Sequence, residues 1–261
     1  MGTHRSWRRY SSLWYVPELI PYKHALRRFI MAYCTFVPYM KCPYYPDKEI
    51  NIKDENTKTR QEHFYFIRFL HTSPNTPNLD IYIDGKKAVS NLIYGSLAGY
   101  AALQSGLHKI DAHLAGQTTN PILSTTATLT GDNFITMSIA GVLPNLQYRI
   151  YKDKAESIPA NESYIRFVHL SSNTPAVDIV VEAGETLFNS ITFGRTEQYK
   201  KVNPGIYKLQ VRASGTPNVV LALPQLTFEG GKAYTLYAMG VMGGSPPLSV
   251  VVLTDGRQMS V

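Results

Sequence analysis

The chain has 261 residues, 44% of them apolar and 17% charged, a mixture that excludes wholesale disorder and leaves room for two domains of about 100 residues and a tail. Its formal net charge is +7, but residues 1–60 hold 11 Lys and Arg against 5 Asp and Glu, while the remainder holds 15 against 14. The basic excess therefore belongs to the N-terminal segment, and the rest lacks the clustered positive charge of a nucleic-acid-binding domain.

In chain order, residues 1–62 come first and read as a basic, Tyr/Pro-rich tail, disordered or weakly helical, with one helical turn at residues 24–33. Phe29–Met40 follows Arg27 and Arg28 but contains Pro38, is too short to span a bilayer, and makes a poor export signal. The lack of periodicity upstream raises the expectation that translation starts at Met40, with residues 1–39 outside the native chain. Both cysteines, Cys34 and Cys42, lie in this tail together with Tyr39, Tyr44 and Tyr45. No Cys/His spacing suits zinc, so Cys34 and Cys42 are expected to stay free or to cross-link between molecules, with a bridge between the two left open, and Cys34, Cys42, Tyr44 and Tyr45 are the cross-linking candidates. Asn51–Glu62 is polar and charged, a composition that favours disorder.

From residue 63 the chain repeats itself. Ile67-Arg68-Phe69-Leu70-His71-Thr72-Ser73-Pro74-Asn75-Thr76-Pro77 is matched, 98 residues on, by Ile165-Arg166-Phe167-Val168-His169-Leu170-Ser171-Ser172-Asn173-Thr174-Pro175. Asp80-Ile81 matches Asp178-Ile179 in the same register, and after one inserted residue Gly95, Tyr100, Gly106 and Gly141 match Gly194, Tyr199, Gly205 and Gly240 at 99. A period this long is a whole domain rather than a solenoid unit. Copy 1 spans 63–152 and copy 2 spans 162–255, with Lys152–Glu162 as the linker.

Within each copy the local period is two. In Leu107–Leu114, His108, Ile110, Ala112 and Leu114 face one way and Lys109, Asp111 and His113 the other, the pattern of a strand with one buried face. Phe64–Leu70, Ile81–Ile83, Phe134–Ile139, Val177–Val181, Tyr234–Met239 and Leu248–Leu253 are further β-branched and aromatic runs. Gly, Pro, Asn and Asp punctuate them about every ten residues. The expected fold is all-β: two tandem antiparallel β-sandwich domains of about seven strands each. With both Trp and both Cys in the tail, neither copy has the core Trp or inter-sheet disulfide of antibody domains.

The stretch Ile-Arg-Phe-[Leu/Val]-His-x-Ser-x-Asn-Thr-Pro-x-[Leu/Val]-Asp-Ile, then Gly106-Leu107-His108-Lys109 or Gly205-Ile206-Tyr207-Lys208, then Gly-x-[Lys/Asn]-x-[Tyr/Ile]-Thr, resembles the bacterial family known as domain of unknown function 4397. The resemblance covers both copies. It implies Ig-like sandwiches, often in tandem, on secreted or surface proteins, and it brings no activity with it. Spore-coat proteins assemble from the mother-cell cytoplasm without a signal peptide, and a Tyr/Pro/Cys tail suits oxidative cross-linking in such a layer.

His71 with Asp80, and His169 with Asp178, are the candidate ligand-binding residues. The competing structural reading has the His closing the first strand and the Asp anchoring the Asn-Thr-Pro turn through backbone N–H groups, and repetition in both copies favours it. His108, Asp111 and His113 cannot converge on one ion from a regular strand. Arg68 and Arg166, flanked by apolar residues, are expected to make a strand-face ion pair or a backbone contact. No Gly-x-Ser-x-Gly or His-Glu-x-x-His is present, and Gly240-Val241-Met242-Gly243-Gly244 lacks a following P-loop Lys. The expected function is a non-catalytic structural or adhesive module of a bacterial envelope or spore surface. No cofactor, nucleic acid or transmembrane segment is called for; the partners are other coat or surface-layer proteins, glycan, or further copies of the chain. A polysaccharide-binding module is the alternative and would show exposed aromatics along one sheet face; an enzyme is the third reading and has no motif behind it.

Overall fold

A computed structural model describes residues 64–131 and 133–256. The expectations for Cys34, Cys42, Tyr44, Tyr45, the helical turn at 24–33 and the start at Met40 lie outside the described residues.

Copy 1 contains eight strands: β1 (Phe64–His71), β2 (Leu79–Ile83), β3 (Lys86–Leu92), β4 (Leu97–Gln104), β5 (Gly106–Leu114), β6 (Leu123–Leu129), β7 (Phe134–Val142) and β8 (Asn145–Asp153). They form two four-stranded sheets, β4-β1-β7-β8 and β3-β2-β5-β6. Copy 2 repeats the plan with β9 (Ser163–His169), β10 (Val177–Val181), β11 (Thr186–Ile191), β12 (Lys200–Val202), β13 (Gly205–Tyr207), β14 (Leu209–Ala213), β15 (Val219–Ala222), β16 (Leu226–Phe228), β17 (Lys232–Met239) and β18 (Ser249–Thr254). Its sheets are β12-β9-β17-β18 and β11-β10-β14-β15, with a two-stranded β13-β16 ribbon. The ribbon arises because the counterparts of β5 and β6 are each broken in two, so copy 2 is also an eight-strand plan, one strand more than the turn spacing suggests. Most pairings are antiparallel, but β1 runs parallel to β7 and β9 parallel to β17.

Each sandwich has its own core. Ile67, Phe69, Leu79, Ile81, Ile110, Ala112, Ile135 and Met137 fill the first, and Ile165, Phe167, Val177, Ile179, Leu209, Val211 and Leu236 fill the second from equivalent positions. These are the alternating inward residues of each strand. On β5 the alternation seen in the sequence places Ile110 and Ala112 in the core. The Asp84-Gly85 turn joins β2 to β3 with φ of 50° and 75°, the double left-handed geometry that two-residue hairpins require and that Asp-Gly supplies at low strain.

The outward residues of the central strands are buried as well. On β1, Arg68 and Leu70 alternate with the core residues and are as inaccessible as they are; on β9, Arg166 and Val168 do the same. A third apolar cluster explains this: Leu70, Ala140 and Tyr151 of copy 1 pack with Val168, Leu170 and Tyr237 of copy 2. The β4-β1-β7-β8 and β12-β9-β17-β18 sheets therefore turn their second faces toward each other, giving four layers from two sandwiches. Strands buried on both faces need apolar residues in both phases, which is why β1, β7, β9 and β17 read as near-continuous apolar runs.

The connection is tighter than a solvated linker. β8 runs on through Asp153, which is 3% exposed. Beyond it the chain lies against copy 2 so closely that a Cβ on Gly230 would sit 1.8 Å from the Ala160 carbonyl oxygen.

Candidate functional site: a buried charge clasp between the two copies

The sequence candidates divide between two places. His71 and His169 are fully buried at the ends of β1 and β9. His71 Nε2 lies 3.3 Å from the Pro77 carbonyl and His169 Nε2 lies 3.1 Å from that of Pro175. Each ring thus ties the strand end to the far side of the Asn-Thr-Pro turn. Burial pushes both imidazoles below their ordinary pKa. The turn is closed by hydroxyls: Ser73 Oγ lies 2.6 Å from Thr76 Oγ1 and donates to the Gly141 carbonyl, and Ser171 does the same with Thr174 and Gly240.

Asp80 and Asp178 do not anchor that turn. Asp80 accepts from the Asn91 and Gly116 backbone N–H groups at 2.8 and 3.1 Å and from Lys87 Nζ at 2.6 Å. Asp178 accepts from the Ser190 and Gly215 N–H groups and from Ser214 Oγ. Asn91 and Ser190 have φ of 55° and 52°, a strained region for residues with side chains, and each carboxylate holds that irregular residue in place. Lys87, with the two backbone donors, keeps the Asp80 carboxyl well below the usual carboxylate range, at about 2. The residues expected as His/Asp pairs thus serve separate turns.

Lower on the same sheet, His108 bonds Asp84 at 2.7 Å and the Gln104 carbonyl at 2.7 Å. Asp111 takes Ser124 and Lys109, and His113 packs edge-on to Tyr82 with centroids 4.9 Å apart. Among the described residues, no three or more His, Cys, Asp or Glu side chains are grouped to hold a metal ion.

The charged groups that do converge include Arg68 and Arg166, which make the ion pair and backbone contact expected of them, with partners the sequence did not name. Arg68 and Arg166 meet Asp153 and Asp255 between the two inner sheets, with every side chain at most 5% exposed. The Arg68 fork donates to Asp255 Oδ1 through one terminal nitrogen and to the Thr254 carbonyl, at 2.8 Å, through the other. Arg166 mirrors this, donating to Asp153 Oδ1 at 2.8 Å and to the Lys152 carbonyl at 2.6 Å. Each Nε donates to the threonine of its own copy, Thr136 at 2.7 Å and Thr235 at 3.0 Å. Those threonines donate to their own aspartates, Thr136 to Asp153 and Thr235 to Asp255. Tyr100 and Tyr199 donate to the same carboxylates at 2.6 Å and lie under the guanidinium groups, 4.6 and 4.4 Å from ring centre to Cζ. Their hydroxyls accept in turn from Gly256 N–H and Lys154 N–H. Each arginine is therefore stacked on its own copy and paired with the other.

The electrostatics follow from this burial. Burial and the like charge of Asp153 push the Asp255 carboxyl up to about 6. Burial pulls the Arg68 guanidinium down, but Asp153 and Asp255 outweigh it and the net shift is upward. Burial and Asp153 raise the Tyr100 hydroxyl, and burial and Asp255 raise that of Tyr199. Two cations and two anions give a neutral set with its donors and acceptors matched, which is the condition under which buried ions are tolerated. One signal in the sequence pointed here. Asp153 and Asp255 are equivalent, but three extra residues in the 242–246 loop shift their separation to 102, and Asp153 fell within the presumed linker.

Fold and clasp together define a tandem β-sandwich protein in which two copies of one domain share an interface. A family model described as "Domain of unknown function (DUF4397)" matches residues 65–180 and 178–260, and the chain belongs to that family. No curated protein matches it significantly. Among solved structures, the Bacillus anthracis TIE protein is 14% identical over 68% of this chain and 34% of its own, with a TM-score of 0.21. This chain thus spans about a third of that protein's length. A protein from Parabacteroides distasonis ATCC 8503 described as a "putative cell adhesion protein" is 9% identical over 75% of this chain and 99% of its own, with a TM-score of 0.20. Scores this low carry no argument about fold or function. Among the described residues no helix is long and apolar enough to cross a membrane.

Proposed function

We propose that the protein is a non-catalytic structural or adhesive module of a bacterial envelope or spore surface layer, in which the tandem pair acts as one stiff unit. The observation that carries this reading is the clasp. The polar residues repeated in both copies are used to join the sandwiches to each other or to hold their turns. A pair locked in this way transmits force without hinge motion, which suits a layer component.

Contact with neighbours falls to what remains outside. Among the described residues, Leu107 and Ile206 are the most exposed large apolar side chains, at 69% and 67%, and they occupy the same position in each copy. A repeated apolar projection suits adhesion to a periodic partner, whose proposed identity is another coat or surface-layer protein. Fractionation of sporulating cells with a specific antibody tests the location: enrichment in coat or envelope extracts is expected, and an even spread through vegetative cytosol counts against it. The L107S/I206S double variant is expected to keep its melting temperature and to be washed from that fraction more readily. A glycan array separates the polysaccharide alternative, since retained sugar would favour it.

A further inference from the structure

The clasp has the form of a two-fold interface made by a single chain. In a contact between identical subunits, residue i of one meets residue j of the other and j meets i. That reciprocity holds for the charged set and its tyrosines. Arg68 reaches Asp255 and the Thr254 carbonyl, and Arg166 reaches the equivalent Asp153 and Lys152 carbonyl. Gly256 N–H returns to Tyr100, and Lys154 N–H returns to Tyr199. The apolar surround is shared too, Leu70 with its counterpart Val168 and Tyr151 with its counterpart Leu253.

Nothing in this contact set depends on the two copies being parts of one polypeptide, because the bonds that cross the interface come from the facing strands and their ends. The apolar surround is not symmetric: Tyr151 has Leu253 as its counterpart, and Arg149, which lies 5.6 Å from the Phe193 ring centre, has Val251. Ser138 on β7 is the counterpart of Tyr237 on β17, and the fully buried Tyr237 ring lies 6.0 Å from that of Tyr151 on β8. The Tyr237–Tyr151 ring contact forms only between unlike copies: two copy 2 faces would set Tyr237 against Leu253, the counterpart of Tyr151, and two copy 1 faces would set Ser138 against Tyr151. The face therefore selects the unlike copy.

We propose that this clasp is an exchangeable docking surface: copy 1 of one chain accepts copy 2 of a second chain in place of its own, linking chains through the same Arg–Asp contacts. The occupant is a second molecule of this protein, identified by charge and size complementarity. The inference rests on the same clasp that carries the structural reading and adds that the contact also forms between chains; its failure would leave the clasp within one chain standing.

Two full-length variants test it. R68D/D153R reverses the charges of copy 1, and R166D/D255R reverses those of copy 2. Each alone places like charges across its own clasp. When the two are mixed, the reversed copy 1 of one chain faces the reversed copy 2 of the other, and the two unaltered copies face each other. Light scattering after chromatography should show a 1:1 complex of twice the chain mass in the mixture, absent from wild type mixed with either variant. Two species that stay separate on mixing would overturn the proposal. A chain lacking Glu156–Pro159 guards against misfolding of the charge variants. Its shortened connection should give a dimer with a near-native melting temperature, and a monomer, whether its copies melt together or apart, would overturn the proposal equally.

Discussion

At the scale of single residues, the four charges of the clasp are where a small change has the largest effect. Asp153→Asn leaves the buried Arg166 fork without its carboxylate, and breaking one partner of a buried pair costs about 3–5 kcal/mol. A fall of that size in urea-unfolding free energy is expected, against little change when the exposed Lys232–Glu229 pair is broken. Asp255 also sets a pH dependence. Its folded pKa, about 6, lies above the unfolded value of about 3.9, so between these values the folded state binds more protons. Its contribution therefore becomes increasingly unfavourable as pH rises through that window and levels off above it. His71 and His169, depressed by burial, act in the opposite direction, losing stability as pH falls below about 6.5. Subtracting the Asp255→Asn profile from that of wild type cancels the histidines. The difference should slope downward from pH 4 to 6 and flatten above it; a flat difference throughout would refute the assignment.

At the scale of elements, the strand pattern was legible and the turn chemistry only partly so. Ile110 and Ala112 point inward on β5 as the two-residue period requires, because alternation alone decides which face of a strand is apolar. The Asp-Gly hairpin was equally local. Asp80 was legible as a turn anchor, but not which turn it serves, since Asn91 and Gly116 reach it only after β3 and β5 have paired with β2. The connection between the copies gives a prediction at this scale. Gly230 sits against backbone, where a side-chain methyl would come within 1.8 Å of the Ala160 oxygen, and backbone cannot yield as a flexible side chain does. Gly230→Ala should cost about 1–3 kcal/mol as overpacking, read as a lower melting temperature. Gly215→Ala meets nothing within 4 Å and carries only the cost of its φ of 71°, so it should lose less.

At the scale of the molecule, the interface makes the two sandwiches interdependent. Each has a complete core, yet each also presents a face whose Arg makes its closest ion pair with the Asp of the other. Parting them would hydrate two carboxylates and two guanidinium groups and expose Leu70, Tyr151, Val168, Leu170 and Tyr237. Scanning calorimetry of the wild-type chain should therefore show a single transition with matching calorimetric and van't Hoff enthalpies. Arg68→Ala/Arg166→Ala, which leaves both carboxylates buried without cations, should split or broaden it. Two separate transitions already in the wild type would show that the clasp does not couple the copies.

Taken alone, the sequence determined the duplication, the all-β class, the inward phase of the strands and the family. Each of these rests on local periodicity or on residue-by-residue identity, and both survive without knowing what touches what. Tertiary structure alone decided the function of Arg68, Asp153, Arg166 and Asp255. Their pairing crosses 187 residues in one case and 13 in the other, and an ion pair leaves no periodic trace along a chain. Only when the two inner sheets stack does the low dielectric between them make those four charges each other's necessary partners.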